Sequence, residues 1–183
     1  MNEVGLGTSC LQACIRVYIA NRPPMEPYEH LENVKALTQG EIQQIAQQTG
    51  NHWRKIFNVY AKFLYSLYSS QQALAVKLHD TQRWQGYRDD ILLQAQGDSM
   101  LLFSPPVFEK NESDIHIIMG KQYAAQLGFD RESSEELVIL DGDFALCKHK
   151  NLIICPYFDY RQLSNIKIDR LIALVQELWQ KPC

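Results

Sequence analysis

The residues best suited to chemistry lie between Tyr157 and Asn165, where Asp159, Arg161, Ser164 and Asn165 stand among Tyr157, Phe158 and Tyr160. A guanidinium is a bidentate phosphate ligand and a tyrosine ring offers a stacking surface for a base. Arg161 with Tyr157 or Tyr160 would therefore suit a nucleotide. The same residues also fit a plainer arrangement, in which Asp159 and Arg161 pair at the surface and Ser164 caps a helix.

A second candidate is Gly120-Lys121, placed after an apolar run. A phosphate-binding loop needs a glycine five residues before the Gly-Lys pair and a serine or threonine after it. Asp114-Ile115-His116 and Gln122 stand there instead, so that motif is absent. What remains is a helix start whose amides could hold an anion. Cys147, His149 and Cys155 supply three metal-ligating types, but zinc usually takes four well-spaced ligands, or three and a water. Cys155 sits in an apolar run, as a small core residue would. His52, His79 and His116 have no sequence partners that suggest nucleophilic catalysis, and no nucleophile elbow is present. No motif calls for a cofactor.

Charge is unevenly distributed along the chain. Asn51 to Arg88 holds six Lys/Arg against one acid, Asp80, together with eight aromatic residues. Basic groups interleaved with aromatics suit single-stranded nucleic acid, although helical spacing assigns several of these rings to a core. Glu109 to Asp143 carries nine acids and three bases. Such asymmetry fits a polar binding surface, or contact between the two halves or with another subunit.

The elements that must position these groups follow from periodicity. The 183 residues predict one α/β domain spanning 1–183, and 46% hydrophobic with 21% charged residues excludes disorder. A net charge of −3 excludes a generally basic nucleic-acid binder. No apolar run is long enough for a membrane helix. The N-terminal residues lack the basic segment of a secretory signal, and five cysteines, an odd number, fit no disulfide framework. A reducing cytoplasm is the expected compartment.

Ile15–Ala20, Ser99–Ser104, Ile115–Met119, Leu137–Leu140 and Leu152–Cys155 read as strands, with a short one over Phe144–Cys147. Glu41–Gln48, a long segment from Asn51 through Tyr68, Gln71–His79, Lys121–Leu127 and a last segment from Ser164 or Asn165 read as helices. Ile91–Gln96 fits either a helix or a hairpin strand across Gly97-Asp98. Trp53, Ile56, Phe57, Tyr60, Leu64 and Leu67 form the long helix's apolar stripe, widened by Phe63, Tyr65 and Tyr68. That aromatic stretch, Trp53–Tyr68, could also supply a homo-oligomer contact. Apolar strands alternating with helices predict three layers, α/β/α, around a short, mainly parallel sheet. The ligand site then lies at the strand C-terminal ends: Asn21-Arg22-Pro23-Pro24, Ser104-Pro105-Pro106, Met119-Gly120-Lys121 and Pro156 to Asn165.

The order of these ends resembles the uracil-DNA glycosylase superfamily, a small α/β fold with a short parallel sheet. Asn21-Arg22-Pro23-Pro24 corresponds to the family's loop that shapes the uracil pocket. Met119-Gly120-Lys121-Gln122-Tyr123-Ala124 corresponds to its helix start, and the segment from Pro156 to Asn165 to its last loop. The family's histidine after the last strand, which stabilises charge on the departing base, is replaced here by Cys155-Pro156-Tyr157. The resemblance therefore implies binding of a nucleotide or nucleic acid at the strand ends without base excision. Two other readings are a divergent glycosylase or nucleotide hydrolase, with Asn21 orienting water and Arg161 or Tyr157 in place of the histidine, and a protein-interaction module. Candidate ligand contacts are Asn21, Arg22, Ser104, Gly120, Lys121, Tyr157, Asp159, Arg161, Ser164 and Asn165.

Overall fold

The computed structural model describes residues 3–8, 15–108, 113–130 and 136–179. Its strands are β1 (Gly5–Gly7), β2 (Ile15–Tyr18), β3 (Val34–Lys35), β4 (Ser99–Leu102), β5 (Ile115–Met119), β6 (Val138–Ile139), β7 (Ala145–Cys147) and β8 (Leu152–Cys155). They form one eight-stranded sheet in the order β3-β1-β4-β2-β5-β8-β7-β6. The central four, β4-β2-β5-β8, are all parallel. Flanking pairs β1–β4, β6–β7 and β7–β8 are antiparallel. The mainly parallel sheet is as expected, but it is longer than the short sheet read from the sequence. The additions are β1 and β3, where Gly-Leu-Gly and Val-Lys carry little strand signal.

The helices are α1 (Glu41–Thr49), α2 (Asn51–Ser69), α3 (Trp84–Asp90), α4 (Lys121–Gln126) and α5 (Asn165–Trp179). Their distribution over the two sheet faces is unequal. Apolar side chains of α1, α2, α3 and α5 join Ile15, Val17, Leu101, Ile117 and Ile153 in the larger core. The other face holds Tyr18, Met100, Ile118 and Ile154, covered by α4 and by Phe108 and Phe129. Only six-residue α4 represents a helical layer there among the described residues.

The α2 stripe is buried as its spacing predicts, and Val59 and Ala61 join it. Trp53, Phe57, Tyr60, Phe63 and Tyr68 are no more than 2% exposed. These rings pack in the chain's own core, so they lend the homo-oligomer reading no support. Gln72–Leu78 forms a 3-10 segment with no buried residue instead of the expected α-helix. Ile91–Gln96 is neither helix nor hairpin strand. It is a turn run, with Leu93 at φ 59° and Gln94 making an isolated parallel bridge to Leu37. No helix among the described residues is long and apolar enough to cross a membrane.

Glycine is obligatory at the sheet's β1–β4 contact. A Cβ on Gly5 would lie 2.3 Å from the Leu101 carbonyl oxygen, well inside contact distance. Gly5→Ala should lower stability by about 1–3 kcal/mol, the usual scale of overpacking. Urea denaturation measures this, and an unchanged midpoint would mean that β1 does not pair there.

Candidate functional site

The side to which the connections lead changes across the middle of the sheet. From β2 the chain crosses to β4 on one side, whereas β5 leads to β8 on the other, so β2 and β5 flank a topological switch point. Loops diverge there and leave a crevice beyond the strand C-termini. The register keeps those ends level, with Tyr18 beside Ile118 and Met119 beside Cys155.

A cleft of about 690 Å³ opens at this point, lined by Asn21 after β2, Gly120 and Lys121 after β5, and Tyr157 and Arg161 after β8. A second, of about 600 Å³, shares Ala20 and Asn21 and extends toward Arg22, His52 and Trp53. The two adjoin at Ala20 and Asn21 and together make up the trough across the strand ends. Gly120 stands at φ 95°, a conformation that favours glycine, and its N–H donates to the Cys155 carbonyl at 2.9 Å. This bond ties the end of β5 to that of β8. Tyr157 then passes over Gly120, with a ring carbon 3.8 Å from where a Cβ would sit.

Tyr157 is the polar centre of the trough. Its hydroxyl is hydrogen-bonded to His52 Nε2 at 3.0 Å, and the two rings stack at 5.5 Å with 29° between planes. The Asn21 side chain is a further polar neighbour of the hydroxyl. Burial pushes the phenol up to about 12, with Asp159 adding to the rise and Asn21 opposing it. The hydroxyl thus keeps its proton at neutral pH. His52 comes from the first turn of α2, beside buried Trp53, and was not singled out from sequence as a site residue.

Beyond Tyr157 the loop is fixed by Asp159. Its carboxylate pairs with Lys55 of α2 at 2.8 Å and accepts the Arg161 N–H at 3.0 Å. Although burial acts to raise its pKa, the bonds from Lys55 and Arg161 hold this carboxyl below its usual range. Tyr160, 55% exposed, lies under the Lys55 ammonium at 5.1 Å and the Arg161 guanidinium at 5.8 Å.

The trough thus gathers Asn21, Gly120, Lys121, Tyr157 and Arg161, with Arg22 in its second lobe. Arg22 is already engaged, donating to the carbonyls of Glu29 at 2.9 Å and Leu31 at 3.1 Å. The remaining candidates do not line it. Ser104 accepts the Val4 N–H at 3.1 Å, since the chain beyond β4 is drawn to the strand that begins at Gly5. Asp159 pairs with Lys55, not with the Arg161 guanidinium. Ser164 directly precedes α5 and accepts that helix's Ile168 N–H through its carbonyl, at 2.8 Å. Asn165, the first residue of α5, is exposed. The helix start at Lys121 offers no anion site of its own, because α4 has six residues and the Gly120 N–H is already bonded.

One further expectation is corrected. The basic segment is largely consumed within the molecule: Lys55 pairs with Asp159, Lys77 with Asp98 and Arg88 with Asp89, while Lys62 and Arg88 flank the Trp84 ring. Cys147 and Cys155 point to opposite faces of the sheet, each in a different core, so they cannot share a metal. No cluster of metal-ligating side chains occurs among the described residues.

A family model matches residues 4–176, nearly the whole chain and all of the trough. The chain belongs to that family, a family of unknown function (DUF6942). No curated protein and no solved structure matches the chain. For this DUF6942 chain, the trough itself is therefore the evidence about function.

Proposed function

We propose that the chain is a single α/β domain that binds a nucleotide, free or within a nucleic acid, in the trough at the strand ends. It does so without excising the base. The observation that carries this reading is the convergence of Asn21, Tyr157, Lys121 and Arg161 from three separate strand ends onto one cleft. An aromatic ring, an amide and two cations are what a base and a phosphate require. The four level, parallel central strands support the likeness to the uracil-DNA glycosylase superfamily and its layered fold, and the position of Tyr157 after β8 supports the loss of the family's histidine.

Fluorescence polarisation with labelled nucleotides and with single-stranded and duplex oligonucleotides, one containing uracil, tests this at low and high salt. Saturable binding of a nucleotide or oligonucleotide is expected. Tyr157→Ala should weaken it about ten- to a hundredfold, the scale of one lost base–aromatic stack. No binding at low salt would leave a protein-interaction role, for which exposed Val138, Ile139 and Leu140 at the β6 edge are the natural surface.

A hydrolase is the second reading, and His52 is the observation that favours it. An imidazole bonded to a protonated phenol beside an amide is suited to acid–base chemistry on an N-glycosidic bond. Release of free base from a bound nucleotide, lost in His52→Ala, would establish that reading in place of simple binding.

A further inference from the structure

Resting on the nucleotide reading above, we infer that the ligand has a fixed polarity: its phosphate lies in the lobe between β5 and β8, on Lys121 and Arg161, and its base in the lobe after β2, beside His52 and Trp53.

The argument is one of charge balance. Around the β5–β8 lobe every nearby carboxylate already has a cation of its own: Asp143 pairs with Lys167 at 2.9 Å, Asp141 with Arg170 at 2.6 Å and Asp159 with Lys55 at 2.8 Å. Lys121 and Arg161 are left over, with no carboxylate within ion-pair distance among the described residues. Both are exposed and both line the cleft, and neutral amide donors accompany them in Gln122 and Gln162. Two cations in no direct ion pair, with flanking donors, suit a phosphate dianion.

The other lobe differs in how its cation is engaged. Its cation, Arg22, donates to two backbone carbonyls and lies over the Phe103 ring at 5.7 Å. Its lining includes acidic Glu29 beside His30, whereas Asp143 in the β5–β8 lobe is already neutralised by Lys167. Ala20 and Pro24, with an edge of largely buried Trp53, form the apolar part of the lining after β2, which a flat heterocycle can cover. Asn21 borders both lobes, so the sugar crosses there, and the base lies against the stacked Tyr157–His52 pair at their boundary.

The test is calorimetric titration of the full chain with adenosine and uridine monophosphates, the two nucleosides, and inorganic phosphate as competitor. Arg161→Gln and Lys121→Gln are compared with Arg54→Gln, which removes the same charge in a separate groove between α1 and α2. Each of the first two substitutions should weaken monophosphate binding about ten- to a hundredfold and leave nucleoside binding unchanged. Arg54→Gln should change neither, and phosphate should compete with the nucleotide in the unaltered chain and in Arg54→Gln but not in Arg161→Gln or Lys121→Gln. If nucleotides bind and Arg161→Gln and Lys121→Gln cost no more than Arg54→Gln, the polarity is overturned while the nucleotide reading stands. If neither nucleosides nor nucleotides bind the unaltered chain, both are overturned. All three substituted side chains are exposed, and circular dichroism confirms that the variants fold.

Discussion

Arg16→Met is expected to lower the unfolding free energy by about 3–5 kcal/mol, a large part of the stability of any domain this size. Arg16 lies on β2, 3% exposed, beneath the trough-bearing end of the strand. Its Nη1 donates to Glu3 at 2.7 Å, its Nε donates to Asp114, and Met100 Sδ lies 3.3 Å from Nη1. Both carboxylates are themselves buried, so removing the guanidinium leaves two negative charges without their central cation. That penalty exceeds what the packing of methionine can return. The complement is informative: adding Glu3→Gln and Asp114→Asn to Arg16→Met should restore most of the loss, because neutral amides need no counter-charge. Urea unfolding of the single and triple variants measures both effects. A loss below about 1 kcal/mol for Arg16→Met would contradict a buried ion cluster. The cluster also pins β2 to β5 and to the residues before β1, and so fixes the height at which Asn21 meets Gly120.

The second large effect concerns acid. His116 on β5 is 2% exposed, its Nδ1 hydrogen-bonded to the Tyr18 hydroxyl at 2.7 Å, with Phe108 tilted over the ring at 4.8 Å. Burial lowers its pKa from 6.5 to about 4, assisted by the positive charge of Arg16 and opposed by Glu3. The folded state therefore resists a proton that the unfolded chain accepts. Stability is full above about 6.5 and falls as pH drops toward 4, because more protons bind the unfolded state throughout that window. The shift corresponds to about 3 kcal/mol. Glu41 acts lower: burial would raise its carboxyl, but bonds from Lys35, Tyr28 and Thr38 bring it to about 2, so its contribution is lost only as pH falls from about 4.5. His116→Asn places an amide near Nδ1 and does not titrate. It should flatten the stability profile between pH 6.5 and 4, as read by urea unfolding at each pH. A profile as steep as that of the unaltered chain would assign the acid sensitivity elsewhere.

Periodicity made the inner sheet legible. β2, β4, β5 and β8 are β-branched or leucine-rich runs bounded by proline, glycine or asparagine, and α2 carries a stripe that only a helix could bury on one side. The same reading placed Asn21, Gly120, Lys121, Tyr157 and Arg161 at strand ends, and the level register of parallel strands brings them together. Ser104 failed because its position depends on β1, and three residues of Gly-Leu-Gly have no side-chain alternation to mark a strand. Glycine is there for a steric reason, the 2.3 Å approach at Gly5, which no local pattern signals.

His52 was hidden for a different reason. It lies 105 residues from Tyr157, and its neighbours Trp53, Ile56 and Phe57 read as core. Only the packing of α2 against the loop after β8 brings the pair into contact. Its place in the first turn of that helix was the one available signal, since the start of a helix packed on the sheet tends to face the strand ends. Arg16 and His116 were equally obscure. Polar residues within apolar strands reveal that something pairs with them, but not what, and here the partners come from four other segments.

The central claim is that the trough is a nucleotide site. Its most direct test is a heteronuclear NMR titration of the folded chain with a nucleoside monophosphate, following backbone amides and the histidine ring signals. Progressive, saturable shifts at Asn21, His52, Gly120, Lys121, Tyr157 and Arg161, with little change at α3 or β6, are the predicted result. Saturable shifts confined to another surface, or none at millimolar ligand, would contradict it.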